Sequence, residues 1–219
     1  MERPYALGIQ RCHIRIRSFR SSRRTHQGEG RNMGKFRYGT VASAIVLAAL
    51  GSLAAAAGTA HAEAGQDTIT MLKQEKTQWC WVASGLTIAK FQGLGSTQTD
   101  FCNRAQPYYG CNNQPATLDD MARGWGSLGM AHTGSGLNSA ATFNQVYTDV
   151  KAARPIGARI GWASGGGHMN VVYGFDTSNS TIAVADPWPD TTTYTWWNYS
   201  DYVSNSSSKW THSRIGISR

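Results

Sequence analysis

The sequence predicts an α+β fold in a single domain, residues 63–219, and three observations predict it. Apolar residues recur at helical spacing through the first half of that stretch. After Pro155 the pattern changes to runs rich in β-branched and aromatic residues, each bounded by turn sequences. No internal repeat or linker divides the stretch, which is long enough to enclose one core.

Residues 63–73 are short and polar. Gln78 to Gln92 reads as the first helix, because Trp81, Gly85, Ile88 and Phe91 fall near helical spacing and Gly93 and Gly95 end it. A second short helix is expected from Thr99 to Arg104. A third opens at Thr117, where Asp120 completes a capping box, and runs to about Arg123. A Gly-rich loop follows. The fourth helix spans Thr142 to Ala153, opened by a Thr142/Gln145 capping pair and stopped by Pro155. Strands are expected over Ile156–Trp162, Met169–Phe175, Thr181–Ala185, Thr192–Trp197 and Trp210–Ile217. Between them lie turn sequences at Ser164–Gly167, Asp176–Ser180 and Pro187–Asp190. Helices come first and an antiparallel sheet second.

Composition is globular: of 219 residues 41% are hydrophobic, with 8 Trp and 9 Tyr. The net charge of +8 suggests nucleic acid until its distribution is read. Residues 1–62 carry ten Lys/Arg and two Asp/Glu, whereas residues 63–219 carry eleven of each. The domain is therefore neutral, and it lacks the clustered cations that displace counterions from a phosphate backbone. The basic quarter reads as targeting sequence. Lys35 and Arg37 precede an apolar run from Val41 to Ala57, and Ala60-His61-Ala62 is the A-x-A pattern that signal peptidase accepts. Residues 33–62, starting at Met33, are expected to be a secretory signal peptide cleaved after Ala62. Residues 1–32 are then an upstream extension or a mis-assigned start. The apolar run falls short of the ~20 strongly apolar residues of a membrane span, so secretion without stable membrane association is expected.

With Cys12 in the part expected to be lost, Cys80, Cys102 and Cys111 remain. A structural disulfide between Cys102 and Cys111 would pin the polar loop around Pro107 and Gly110, adding roughly 2–3 kcal/mol by chain-entropy reasoning. Cys80 would stay a thiol. It falls in the first turn of the first predicted helix, where amide groups and the positive end of the helix dipole stabilise a thiolate. The plainer reading is a buried cysteine packed between Trp79 and Trp81. Three histidines could partner it. His168 follows Gly165-Gly166-Gly167 and opens an apolar strand, a junction that can present a side chain to a cleft. His132 and His212 lie in polar, turn-like contexts. Asp186 ends a later strand before Pro187-Trp188. No paired C-x2-C or H-x3-H spacing occurs, so neither zinc nor any other cofactor is expected.

Gln74-x5-Cys80-Trp81 resembles the active-site segment of papain-like cysteine peptidases. Gly167-His168-x-x-Val171-Val172-x-Gly174-Phe175 and Asp186-Pro187-Trp188 are similar to the His and Asp motifs of the compact bacterial, secreted or effector-type branch. The resemblance covers about residues 70–190. It implies a papain-like fold, with Cys80 as nucleophile, His168 as general base and acid, and Asp186 as the acceptor that orients it. It also implies an oxyanion hole formed by Gln74 and the Cys80 amide, with Gln78 a second candidate donor. Plant-type relatives carry a Gly-Ser before the nucleophile and Asn as third member; Trp79 and Asp186 stand here, as the bacterial branch allows. The implied function is a secreted cysteine endopeptidase acting on protein or peptide. Two alternatives share the sequence features. One is a catalytically silent binding module presenting Trp196, Trp197, Tyr199 and Tyr202. The other is acyl transfer or deamidation on the same triad. Trp188 is expected either to shield the His168–Asp186 contact or to pack in the core.

Overall fold

The computed structural model describes residues 62–219; the expected upstream extension and all of the signal peptide before Ala62 lie outside the described residues. The chain runs β1 (Ala64–Gln66), α1 (Cys80–Phe91), α2 (Gln98–Ala105), α3 (Leu118–Ser127), β2 (His132–Leu137) and α4 (Phe143–Lys151). It continues with β3 (Ile156–Trp162), β4 (Gly167–Asp176), β5 (Thr181–Ala185), β6 (Tyr194–Asn198), α5 (Tyr199–Val203) and β7 (Ser208–Ser218). The strands form one antiparallel sheet in the order β2-β7-β3-β4-β5-β6, and β1 pairs with the far half of β4.

Local chemistry accounts for the helices. Thr117 and Thr142 open α3 and α4 with complete capping boxes, closed by Asp120 and Gln145, and Thr97 caps α2 on the Asp100 amide. Helix α3 runs four residues beyond its expected end, through Gly124 and Gly126. Gly124 belongs there for packing: a Cβ would stand 2.9 Å from the Phe101 ring, which lies between Gly124 and Gly85. Trp125, one residue on, is fully buried and donates its indole N–H to the Gly85 carbonyl at 2.7 Å.

Strands β1 and β2 and helix α5 are absent from the sequence reading. β2 is an exposed, Gly-rich edge strand that pairs only with β7, so it carries no apolar alternation. Gly134 within it has φ +77°, and a Cβ there would strike the Ile215 carbonyl.

Both faces of the sheet are covered. Helices α1–α3 pack on one face with Trp79, Trp81, Phe101, Trp125, Met169, Val171 and Tyr173. Helix α4 and Trp210 of β7 fill the other, around Val146, Ile156, Val172, Phe175 and Ile182. Strand β4 serves both cores, and its register against β5 shifts between Val172 and Gly174. That irregularity lets Tyr173 and Phe175, two residues apart, face opposite cores. Burial on both sides explains why β4 reads as a nearly continuous apolar run.

Candidate active site

Cys80 is the first residue of α1, is in no disulfide, and is only 1% exposed. Trp79 and Trp81 beside it are completely buried. One turn further along, the Ser84 hydroxyl donates to the Met169 carbonyl at 3.1 Å, fastening α1 to β4 one residue beyond His168. The head of the helix and the His-bearing end of the strand are thus joined by a buried hydrogen bond.

His168 is 6% exposed, and its Nε2 lies 2.8 Å from Asp186 Oδ1. An ionised carboxylate only accepts, so Nε2 carries the proton and Nδ1 is the nitrogen left with a lone pair when the ring is neutral. The same Oδ1 accepts the Trp188 amide at 2.8 Å. Burial raises the Asp186 carboxyl pKa. The His168 charge and hydrogen bond, the Trp188 amide and the Lys73 ammonium outweigh that, and hold it below the ordinary aspartate value. Trp162, at the end of β3, stacks on the His168 ring with centroids 6.3 Å apart and planes 21° from parallel.

Gln74 is buried, and its main-chain N–H donates to the Pro187 carbonyl at 2.9 Å, which ties the segment before α1 to the Asp186 loop. Its carboxamide donates to the Lys76 and Thr77 carbonyls at 2.8 and 3.0 Å, while Oε1 is buried with no hydrogen-bond partner. Both side-chain N–H groups therefore brace the turn leading to Cys80. Gln78 gives its main-chain N–H to Asn113 Oδ1 at 2.8 Å.

Lys73 was not legible as a site residue. Its ammonium donates to the Trp188, Thr191 and Asp186 carbonyls at 2.6, 3.2 and 3.4 Å, so one cation gathers the loop that carries Asp186. Only the placement of a lysine beside Gln74 could have hinted at this. Trp162 gave no signal beyond ending a strand before a glycine turn. Trp188 is half-buried, and it meets Asp186 through its main-chain N–H.

His132 is exposed; His212 is half-buried, with Nδ1 3.0 Å from Thr211 Oγ1. Cys102 and Cys111 form a disulfide. The aromatics that could form a separate recognition surface do not assemble one. Trp197 and Tyr202 pack into the second core, Tyr199 donates its hydroxyl to the Ala141 carbonyl, and only Trp196 of the four is exposed. Among the described residues no cluster of three His, Cys, Asp or Glu side chains could hold a metal ion.

Helices bearing a thiol at their head, packed on an antiparallel sheet that bears a His–carboxylate pair, are the architecture of a cysteine peptidase of papain-like fold. The chain belongs to the family described as papain-like cysteine protease AvrRpt2, whose model matches residues 63–203. Among solved structures it is similar to the peptidase domain of ComA from Streptococcus, a bi-functional ABC transporter involved in a quorum-sensing pathway. That likeness has 16% identity and a TM-score of 0.51, covering 68% of this chain and 97% of that one. It is also similar to xylellain, a cysteine protease from Xylella fastidiosa, with 11% identity and a TM-score of 0.50 over 71% of this chain and 86% of that one. At these identities the structural likeness shows the fold. No curated protein sequence matches the chain significantly.

Proposed function

We propose that this cysteine peptidase is a secreted endopeptidase that cleaves protein or peptide substrates through Cys80, His168 and Asp186. The observation that carries this reading is the 2.8 Å bond from His168 Nε2 to a carboxylate oxygen that the Trp188 amide also holds. It fixes the tautomer in which Nδ1 can exchange a proton with the thiol, as triad chemistry requires. The Cys80 thiolate attacks the scissile carbonyl carbon, and the carbonyl oxygen takes the negative charge. The Cys80 amide and Gln74 are the proposed donors to that oxyanion, Gln74 by giving up one of its two carbonyl bonds in the preceding turn. Collapse of the intermediate breaks the C–N bond, and His168 Nδ1–H protonates the leaving amine. Water, deprotonated by the same nitrogen, then hydrolyses the thioester and regenerates the thiol.

Two features support the export reading. The A-x-A sequence ends at Ala62, and Glu63, the residue that follows it, is anchored to the fold. Its main chain exchanges hydrogen bonds with Thr177, and its carboxylate meets Lys151 at 2.8 Å. No helix among the described residues is long and apolar enough to cross a membrane.

The test is the alkylation rate of Cys80 by iodoacetamide at about pH 5.5, read by mass spectrometry, alongside hydrolysis of a pool of quenched fluorescent peptides. An ordinary thiol, with pKa about 8.5, is nearly inert at that pH. Fast labelling that collapses in His168→Ala, together with peptide cleavage lost in Cys80→Ala, is the expected result. Slow labelling in both proteins would overturn the triad. Labelling without cleavage would favour a silent module or another acyl transfer.

A further inference from the structure

Helices α2, α3 and α4 each begin with a threonine that caps an amide of the first turn; α1, which carries the nucleophile, does not. Its N-cap residue is Trp79, whose side chain makes no capping bond, and no acidic residue lies in its first turn. The backbone entering α1 is instead held by a distant segment, residues 112–114. Asn113 Oδ1 accepts the Gln78 N–H at 2.8 Å, and Asn113 Nδ2 donates to Thr77 Oγ1 at 2.8 Å. On either side of Asn113, the Trp79 indole donates to the Asn112 carbonyl at 2.9 Å and the Trp81 indole to the Gln114 carbonyl at 3.0 Å. Both tryptophans that flank Cys80 are therefore oriented by this one segment. The segment is itself anchored: Cys111 is bonded to the buried Cys102 of α2, and the Gln114 amide donates to Gln106 Oε1 at 2.7 Å.

We propose that Asn113, held in place by the Cys102–Cys111 disulfide, is a positioning residue for the oxyanion donor beside the nucleophile: it serves as the external cap of the turn that directs the Cys80 amide. The inference rests on the peptidase reading for its catalytic consequence and on geometry alone for its structural one. Oxyanion stabilisation depends on donors fixed to within a few tenths of an ångström, and the Cys80 amide inherits its direction from the peptide planes of residues 77–79. Gln74 braces that turn from the side of the Asp186 loop, and Asn113 braces it from the side of α2. Asn113 is exposed, so truncating its side chain opens no core cavity.

The experiment compares Asn113→Ala and Asn113→Asp with the full wild-type chain. Three measurements are made: amide hydrogen exchange across residues 77–80, kcat and KM on the best-cleaved quenched peptide, and Cys80 alkylation at about pH 5.5. Loss of a cap opens the turn about fivefold more often. Asn113→Ala is therefore expected to speed exchange there about fivefold and to lower kcat about tenfold, with KM within about twofold. Asn113→Asp keeps an oxygen for the Gln78 N–H and is expected to restore both. Alkylation should stay within about twofold in both variants, because the thiol and His168 are untouched. Unchanged exchange in Asn113→Ala overturns the proposal, as does faster exchange with unchanged kcat. A fall in KM affinity and alkylation together with kcat overturns it too, by showing general loosening. If exchange rises as expected but no protein, wild type included, cleaves any peptide, the capping geometry stands and the peptidase reading fails.

Discussion

The proposed mechanism turns on a single atom of Asp186. Its Oδ1 faces two donors at once, the His168 Nε2–H and the Trp188 amide, each at 2.8 Å. An asparagine in its place must put its oxygen there, because a side-chain NH2 would confront two N–H groups. Asp186→Asn therefore keeps the histidine tautomer, whereas Asp186→Ala releases the ring. We expect Asp186→Ala to lower kcat about 10²-fold or more with a much smaller effect on KM, and Asp186→Asn to retain most of the turnover. Steady-state kinetics on one fluorogenic peptide checks both. Equal losses in the two variants would mean that charge, and not tautomer, is what Asp186 supplies. The acid limb carries a sign as well. The folded pKa of Asp186 lies below its ordinary value, so its stabilising contacts are present above that ordinary value and are lost as pH falls through the folded one. At this scale the sequence showed the residues that carry the proposed chemistry, because a thiol beside Trp, a Gly-rich His turn and an Asp-Pro end are short patterns. Lys73 and Asn113 were not legible. Their partners are main-chain groups 113–118 residues away for Lys73, and residues 77 and 78 for Asn113, and no local pattern encodes such contacts.

Among the elements, β1 is the shortest and the most instructive. Its three residues pair with the end of β4 that β3, which begins at Ile156 opposite Val172, does not reach, so β1 completes the sheet there. The Asp67 amide continues the pairing by donating to the Tyr173 carbonyl at 2.8 Å. The Asp67 side chain is then buried, with Oδ2 lacking any hydrogen-bond partner. Burial, and secondarily the nearby Asp149 carboxylate, raise its pKa to about 7. Asp149 is itself held in a fixed place by Arg154 at 2.8 Å and by the Gly216 amide at 2.7 Å. In the unfolded chain Asp67 titrates near its ordinary value, about 3.9. Between about 4 and 7, then, only the folded state holds the proton; stability falls as pH rises through that window and is level above it. Asp67→Asn mimics the protonated side chain. It should raise the melting temperature at both pH 5 and pH 8, and by several degrees more at pH 8, at about 2–4 °C per kcal/mol in a domain of this size. Scanning calorimetry at the two pH values checks this, and equal shifts at both would show that Asp67 is already ionised at pH 5. The capping boxes made α3 and α4 readable, and the β-branched runs did the same for β3, β4 and β5. Strand β1 escaped because three residues are too few for a period to show. Helix α3 was cut short because its glycines, which normally punctuate, are here required by the Phe101 ring.

For the molecule as a whole, charge and anchoring meet at one peptide bond. Every net positive charge lies in residues 1–62, and the domain that follows is neutral. The first residue of that domain to make fixed contacts is Glu63. Its N–H donates to Thr177 Oγ1 at 2.7 Å, its carbonyl accepts the Thr177 amide at 2.8 Å, and its carboxylate binds Lys151 and the Tyr147 hydroxyl, each at 2.8 Å. Cleavage after Ala62 would thus leave every contact of Glu63 in place, whereas cleavage one bond later would discard them and leave β1 held by its pairing with β4 alone. A new amino group at Glu63 still has hydrogens for Thr177 Oγ1. We therefore expect the full chain, expressed in a bacterium with an intact export pathway, to be recovered outside the cytoplasm with Glu63 as its first residue and the Cys102–Cys111 disulfide formed. N-terminal sequencing and intact mass, taken before and after thiol alkylation, read both features at once. A product that begins at Ala64 should melt below one that begins at Glu63, because β1 loses its tie to α4 and to the β4–β5 turn. Recovery of a chain still carrying residues 33–62 would overturn the assignment of the basic quarter as a cleaved signal. It would also remove the reason for an oxidised pair beside a reduced nucleophile, since disulfides of this kind persist in compartments that the signal would have reached.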